Sequence, residues 1–255
     1  MRGWRGRVLA AVLVVMPGTA LGERLASGTF FLSDALKARQ ADSAANPGML
    51  WVEEGAGLWR APAGATGKSC ADCHGASAEK MRGVAVRYPM VEITSGQLLN
   101  LEARINRCRT VHQQADALAY ETDRLLALTA FVARRSNGMA MNVATAGPAA
   151  KFMARGKAFF EQRQGQLDLA CKDCHVDNVG RRLRGDTISH GIAVGYPAYR
   201  LEWQTMGSLH RRLRSCSYAV RAVRFPAGSQ TYLELELYLA MRARGVELDG
   251  PAIRP

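Results

Sequence analysis

Cys70-Ala-Asp-Cys73-His74 and Cys171-Lys-Asp-Cys174-His175 both read C-x-x-C-H. Two thiols on one turn with an adjacent imidazole suit covalent attachment of haem c. The cysteines add across the two vinyl groups as thioethers, and the histidine binds iron from one side. A dithiol redox pair does not need the trailing histidine, and a zinc site needs further Cys or His at ligand spacing. The spacing therefore predicts two covalently bound haem c groups, anchored by Cys70 and Cys73 and by Cys171 and Cys174. His74 and His175 are the expected first axial ligands.

Of the six cysteines, Cys108 and Cys216 remain. Each follows an arginine by four residues, Arg104 and Arg212. Thiolate donation to both irons is the expectation, and it accounts for two thiols surviving in an oxidising compartment. A Cys108–Cys216 disulfide is the alternative. Met81, Met90, Met139 and Met206 supply the competing ligand type, but no two of them match across the repeat described below. His112, His190 and His210 are likewise unrepeated and read as surface or supporting residues. A thiolate ligand stabilises ferric iron and lowers the reduction potential, which points to a special chemistry rather than general electron carriage.

On a helix, Arg212 lies one turn before Cys216, so the two side chains share a face. A guanidinium offers two parallel donors to a sulfonate-like oxyanion, and positive surroundings favour an anionic sulfur. Arg211, Arg214, Arg221 and Arg224 add to the local charge. Arg211 and Arg214 fit a solvated helical face equally well.

The elements that must position these groups recur. Gly83-Val-Ala-Val-Arg-Tyr-Pro89 and Gly191-Ile-Ala-Val-Gly-Tyr-Pro197 are offset by 108 residues, as are Leu101, Arg104 and Cys108 from Leu209, Arg212 and Cys216. The haem motifs are offset by 101, and so are Gly55 to Trp59 and Gly156 to Phe160, which places a seven-residue insertion in the second copy. The fold class expected is mostly α, with two tandem cytochrome c-like domains related by internal repeat, 23–145 and 146–255. The uncharged stretch Asn142 to Ala150, with Gly147-Pro148, marks the boundary. Thr94-Ser-Gly-Gln97 reads as a capping box opening a helix through Leu98, Leu101, Ile105 and Cys108. Asp116 to Arg135 and Tyr232 to Arg244 read as further amphipathic helices that stop near Gly138 and Gly245.

Arg2, Arg5 and Arg7, the apolar run Val8 to Met16 and Ala20-Leu21-Gly22 compose an export signal peptide over 1–22. No later run is long and apolar enough to span a bilayer. The expected location is periplasmic. The formal charge of +12 falls to +9 without the three leader arginines. In that compartment a basic chain meets anionic small molecules or acidic proteins rather than nucleic acid.

These residues resemble the SoxA family, the dihaem subunits of SoxAX cytochromes, which act as L-cysteine S-thiosulfotransferases in bacterial sulfur oxidation. The resemblance covers nearly the whole mature chain. It rests on Gln40-Ala-Asp42, Asn46-Pro-Gly-Met-Leu-Trp-Val52, both C-x-x-C-H motifs, Cys108, Arg212-x-x-x-Cys216, Gly228-Ser229 and Leu235 to Ala240. It implies two low-spin His/Cys haems, with Cys216 as catalytic cysteine bearing a persulfide and Arg212 as substrate-binding residue. It also implies a SoxX-like monohaem partner in a heterodimer and a SoxYZ-like carrier whose cysteine accepts thiosulfate, with electrons passing to c-type haem. Two rival readings are a thiosulfate dehydrogenase, which forms tetrathionate without a carrier, and a plain dihaem electron carrier without a substrate-linked thiol.

Overall fold

Each C-x-x-C-H motif folds as a single helical turn beside a pair of longer helices. The computed structural model describes residues 25–255, so the leader expected over 1–22 lies outside the described residues. The first half runs α1 (Asp34–Ala41), α2 (Met49–Arg60), the motif helix α3 (Cys70–His74), β1 (Met90–Val91), β2 (Leu98–Leu99), α4 (Leu101–Cys108) and α5 (Asp123–Arg134). The second runs α6 (Ala150–Glu161), the motif helix α7 (Cys171–His175), β3 (Arg182–Leu183), β4 (Asp186–Thr187), β5 (Ala198–Arg200), β6 (Thr205–Gly207), α8 (Leu209–Ala219), α9 (Gln230–Arg242) and β7 (Ala252–Arg254). Among the described residues, no helix is long and apolar enough to cross a membrane.

The sequence repeat is visible in the packing. Helix α2 lies along α5 and α6 along α9. Glycine permits both crossings: a Cβ on Gly55 would stand 2.2 Å from the Ala127 carbonyl, and one on Gly156 2.0 Å from the Glu234 carbonyl. The hairpin pairing Met90 with Leu99 recurs as Ala198 with Gly207. The seven extra residues of the second half contribute the β3–β4 hairpin, which brings in Asp186. One apolar core runs through both halves, with Val86, Leu98 and Met141 in the same cluster as Ile192, Val194, Met206 and Leu237.

Two helix starts differ from expectation. Leu98 belongs to a strand, and α4 opens at Leu101, where the Asn100 side chain accepts the Ala103 amide at 3.0 Å. The Thr94 to Gln97 stretch is the hairpin turn between β1 and β2. Gly96 there has φ +68°, a left-handed conformation that glycine adopts without strain and that a helix cannot contain. The segment 114–122 is a loop rather than the start of α5. The Asn106 side chain bonds both the amide and the carbonyl of Leu118 at 2.8 Å, which pins the loop to α4.

The first turns of α4 and α8 meet in a buried polar cluster. His210 Nε2 lies 2.9 Å from Glu236 Oε2 on α9, and Asn100 Nδ2 donates to the same oxygen at 3.0 Å. Tyr120 donates to Asn100 Oδ1 at 2.9 Å and stacks on His210. Glu121 accepts from the Ser208 amide and hydroxyl. Within this cluster burial, reinforced by the charge of Glu236 and by Glu121 and opposed by His210, pushes the Glu102 carboxyl up to about 8. A carboxyl raised on folding contributes stability that is complete below its ordinary value of 4.5 and is lost as pH rises through about 8. Urea denaturation across that interval is expected to show stability falling by a few kcal/mol, with most of the slope absent in Glu102→Gln. An equal slope in the variant would assign the loss to other groups.

The amino-terminal arm closes on the carboxy-terminal strand. Asn46 Nδ2 donates to the Pro251 carbonyl at 2.9 Å, and the Ile253 amide donates to Gln40 Oε1 at 2.9 Å. Ser27 and Thr29 both donate to Asp249 Oδ2. Strand β7 in turn pairs parallel with β5, which carries Arg200.

Candidate active site

The second motif is fixed from both ends. The Ala170 amide donates to Asp173 Oδ2 at 3.0 Å, as the Ser69 amide does to Asp72 in the first motif at 2.7 Å. His175 Nδ1 lies 2.7 Å from the Ser189 carbonyl. That contact sets Nδ1 as the protonated nitrogen and leaves Nε2 free to face a metal. Gly191 lies so close to the imidazole that a Cβ there would meet it at 2.5 Å, which accounts for the glycine. At the first motif, His74 packs against Trp59, ring centroids 5.7 Å apart.

Helix α8 is capped by Ser208, whose hydroxyl accepts the Arg211 amide at 3.1 Å, and it delivers the half-buried Cys216 to His175. Burial alone would push the Cys216 thiol up. Arg212, a hydrogen bond with His175 and the charge of Arg200 outweigh it and bring the thiol down to about 7. Cys108 has the matching position in α4, but there burial prevails over Arg104 and the thiol sits above its ordinary value.

The donor set fits haem c at both motifs. No disulfide joins Cys108 to Cys216. Cys216 acts on both Cys171 and Cys174, and with burial as the leading cause Cys171 is pushed up to about 12. Cys108 stands in the same relation to Cys70 and Cys73. Each half therefore brings two attachment thiols, one histidine and one further thiol together. The methionines are placed otherwise. Met206 is buried in β6, Met139 packs on Gly83, Met81 packs against the core and Met90 stands in the exposed strand β1. Of the unrepeated histidines, His210 is buried in the cluster above, His190 packs edge-on to Phe31, and His112 is exposed.

The arginines of α8 and of the loop after it separate by their partners. Arg212 is held above its ordinary value chiefly by the Cys216 sulfur, with burial opposing. Arg211 lies over the Trp203 ring at 4.2 Å, so it is a packed side chain rather than part of a solvated face. Arg214 is half-buried. Arg221 reaches Gln166 at 3.4 Å, and Arg224 lies over Tyr218 at 5.5 Å. A sixth arginine, Arg200 at the end of β5, is buried and acts on both Arg212 and Cys216. It went unread because it stands sixteen residues before the thiol on another element. Ser189 and Gly191 also escaped, although Gly191 opens the repeated Gly-Val/Ile motif and was legible there.

Comparison with known proteins agrees with this arrangement. A family model described as SoxA/TsdA, cytochrome c domain, matches residues 54–141. The chain is 37% identical to the L-cysteine S-thiosulfotransferase subunit SoxA of Rhodovulum sulfidophilum over 91% of its own length and 81% of that protein. It is 35% identical to the SoxA subunit of Paracoccus pantotrophus over 89% and 78%. The crystal structure of SoxXA from P. pantotrophus matches with a TM-score of 0.87 at 35% identity, covering 91% of this chain and 87% of that one. A cytochrome c-like fold, an arginine one turn before a thiol that faces a C-x-x-C-H histidine, and identity at this level over most of both chains lead to one assignment: this chain belongs to the SoxA family of L-cysteine S-thiosulfotransferase subunits.

Proposed function

We propose that this chain is the catalytic, dihaem subunit of an L-cysteine S-thiosulfotransferase that couples thiosulfate oxidatively to a carrier cysteine. The observation that carries this reading is the pairing of Arg212 with Cys216, one turn apart on α8, where the guanidinium favours an anionic sulfur. Cys70, Cys73, His74 and Cys108 would hold one haem in a unit spanning 23–145, and Cys171, Cys174, His175 and Cys216 a second in 146–255.

The chemistry of the site follows from its charges. Thiosulfate carries two negative charges, and Arg212 offers its sulfonate end a planar pair of donors. That contact turns the sulfane sulfur toward Cys216. Joining it to the sulfur borne on Cys216 forms one S–S bond. A thiolate and a thiosulfate dianion give a thiosulfonate-capped disulfide with charge minus one and release two electrons. Accepting those electrons singly is the chemistry that bound haem supplies. A carrier thiolate then attacks the Cys216-side sulfur of the thiosulfate unit, takes the unit and leaves the Cys216 sulfur anionic, so the second step is redox-neutral. Arg212 holds the sulfonate through both steps, and Ser189 keeps the His175 ring in one tautomer and orientation.

A SoxX-like monohaem subunit fits as the heterodimer partner and a SoxYZ-like protein as the sulfur acceptor, in the periplasm. The product tests the reading. Incubation with thiosulfate, ferricyanide and a thiol-bearing carrier is expected to leave a thiosulfonate adduct on the carrier cysteine, seen by intact mass. Quantitative recovery of tetrathionate with an unmodified carrier would establish the dehydrogenase reading instead.

A further inference from the structure

The two halves place opposite charges at one position. Glu92 follows β1, and its amide donates to the Gln97 carbonyl at 2.8 Å. Arg200 ends β5 opposite Thr205. With Met90 matching Ala198 and Leu99 matching Gly207 in the two hairpins, Glu92 and Arg200 occupy the same site in the repeat. In the first half the Glu92 carboxylate takes Arg104 at 3.1 Å and Arg107 at 2.6 Å. Arg104 is the counterpart of Arg212, one turn before Cys108. Its charge is thus neutralised inside the protein.

In the second half that carboxylate is missing and a second guanidinium stands in its place. Arg200 is 4% exposed, and its Nε has no hydrogen-bond partner. Its Nη2 lies 3.5 Å from Glu202 and 4.0 Å from Asp186, but both carboxylates are largely open to water, 66% and 44% exposed, and so screened. The Trp203 ring is 5.1 Å away. Burial and the like charge of Arg212 both weigh against the cationic form of Arg200, while Tyr196, Glu202 and Asp186 favour it. A buried guanidinium with an unpaired donor, standing where the first half has the carboxylate that takes the counterpart of Arg212, forms a site that a dianion completes.

We infer that Arg200 and Arg212 together form the oxyanion subsite for the sulfonate group of thiosulfate, and that Glu92 silences the equivalent subsite at Cys108 by occupying Arg104. The repeat thus holds one open and one internally closed copy of the same anion site, and a single charge reversal separates them. This inference deepens the thiosulfate reading and rests on it for the identity of the anion.

Calorimetric titration of the oxidised holoprotein with thiosulfate, without carrier or electron acceptor, tests it. The wild type is expected to bind one thiosulfate per chain. Arg200→Gln removes charge-assisted donors and weakens that binding about 10- to 100-fold. Arg200→Glu recreates the Glu92 arrangement and abolishes binding over the same range. Glu92→Gln frees Arg104 and raises the stoichiometry to two, the second site the weaker. Unchanged haem absorption and haem content in each variant establish that the fold is intact. Wild-type affinity in Arg200→Gln would overturn the role of Arg200, and a stoichiometry of one in Glu92→Gln would overturn the silencing. Failure of the transferase reading would show elsewhere, as thiosulfate turnover that persists without Cys216 while these binding differences remain.

Discussion

Cys216→Ala and Cys216→Met are expected to lose thiosulfate-dependent sulfur transfer by on the order of 10⁴-fold or more, with two haems still attached. Cys171 and Cys174, the proposed thioether anchors, stand on α7 and do not depend on α8 for their spacing, so intact mass should change only by the substitution itself. The two substitutions separate ligation from chemistry. Methionine brings a sulfur to the same helical position and can face His175 as Cys216 does, but a thioether cannot form the S–S bond that transfer requires. Alanine removes both abilities. If Cys216→Met restores a six-coordinate spectrum and still fails to turn over, the sulfur is required as a reactant. Turnover within tenfold of wild type in either variant would remove Cys216 from the chemistry.

Arg212→Gln is expected to lower kcat/KM for thiosulfate about 10³-fold, and Arg212→Lys to recover part of that loss. A bidentate contact to an anion comprises two charge-assisted hydrogen bonds, each contributing about 1.5–3 kcal/mol. Lysine restores the charge but neither the planar fork nor its fixed spacing. The loss should shrink with added salt less steeply than at an exposed site, because Arg212 stands against the half-buried Cys216 and burial opposes its charge. Steady-state rates at fixed carrier concentration give the comparison. A loss equal for Lys and Gln would assign the effect to fork geometry alone, and no loss in either would place the substrate elsewhere.

What could be read along the chain was what the chain writes contiguously or twice. C-x-x-C-H is a local chemical sentence, and the offset of 108 residues joined Cys216 to Cys108 and Arg212 to Arg104. Their convergence on the motif histidines and thiols in space is a tertiary fact that the repeat foreshadowed. Leu98 was misread because two apolar residues before a helix satisfy helical and strand spacing alike. Gly96 was the signal that should have decided it. Arg200 was hidden for a different reason. Its role depends on which residue its hairpin neighbour in the other half carries, and only register shows that Glu92 is that residue. His210, in the first turn of its helix, reads from sequence as a surface or supporting residue, and Glu102 carries no sequence signal. The approach of α4 to α8 buries them instead.

The clasp between the amino-terminal arm and β7 has a consequence for how the protein is made. Residues 27–46 bond to partners 205 to 225 positions later, so the first described segment to be synthesised is among the last to dock. Until residues 249–254 arrive, Gln40 and Asn46 lack their long-range partners at Ile253 and Pro251, and β5 has no parallel neighbour. Assembly thus follows the reverse of emergence at this edge, with pairing of very high sequence separation coming late. A chain ending short of Asp249 would carry both C-x-x-C-H motifs but lack the strand that pairs with β5 beside Arg200.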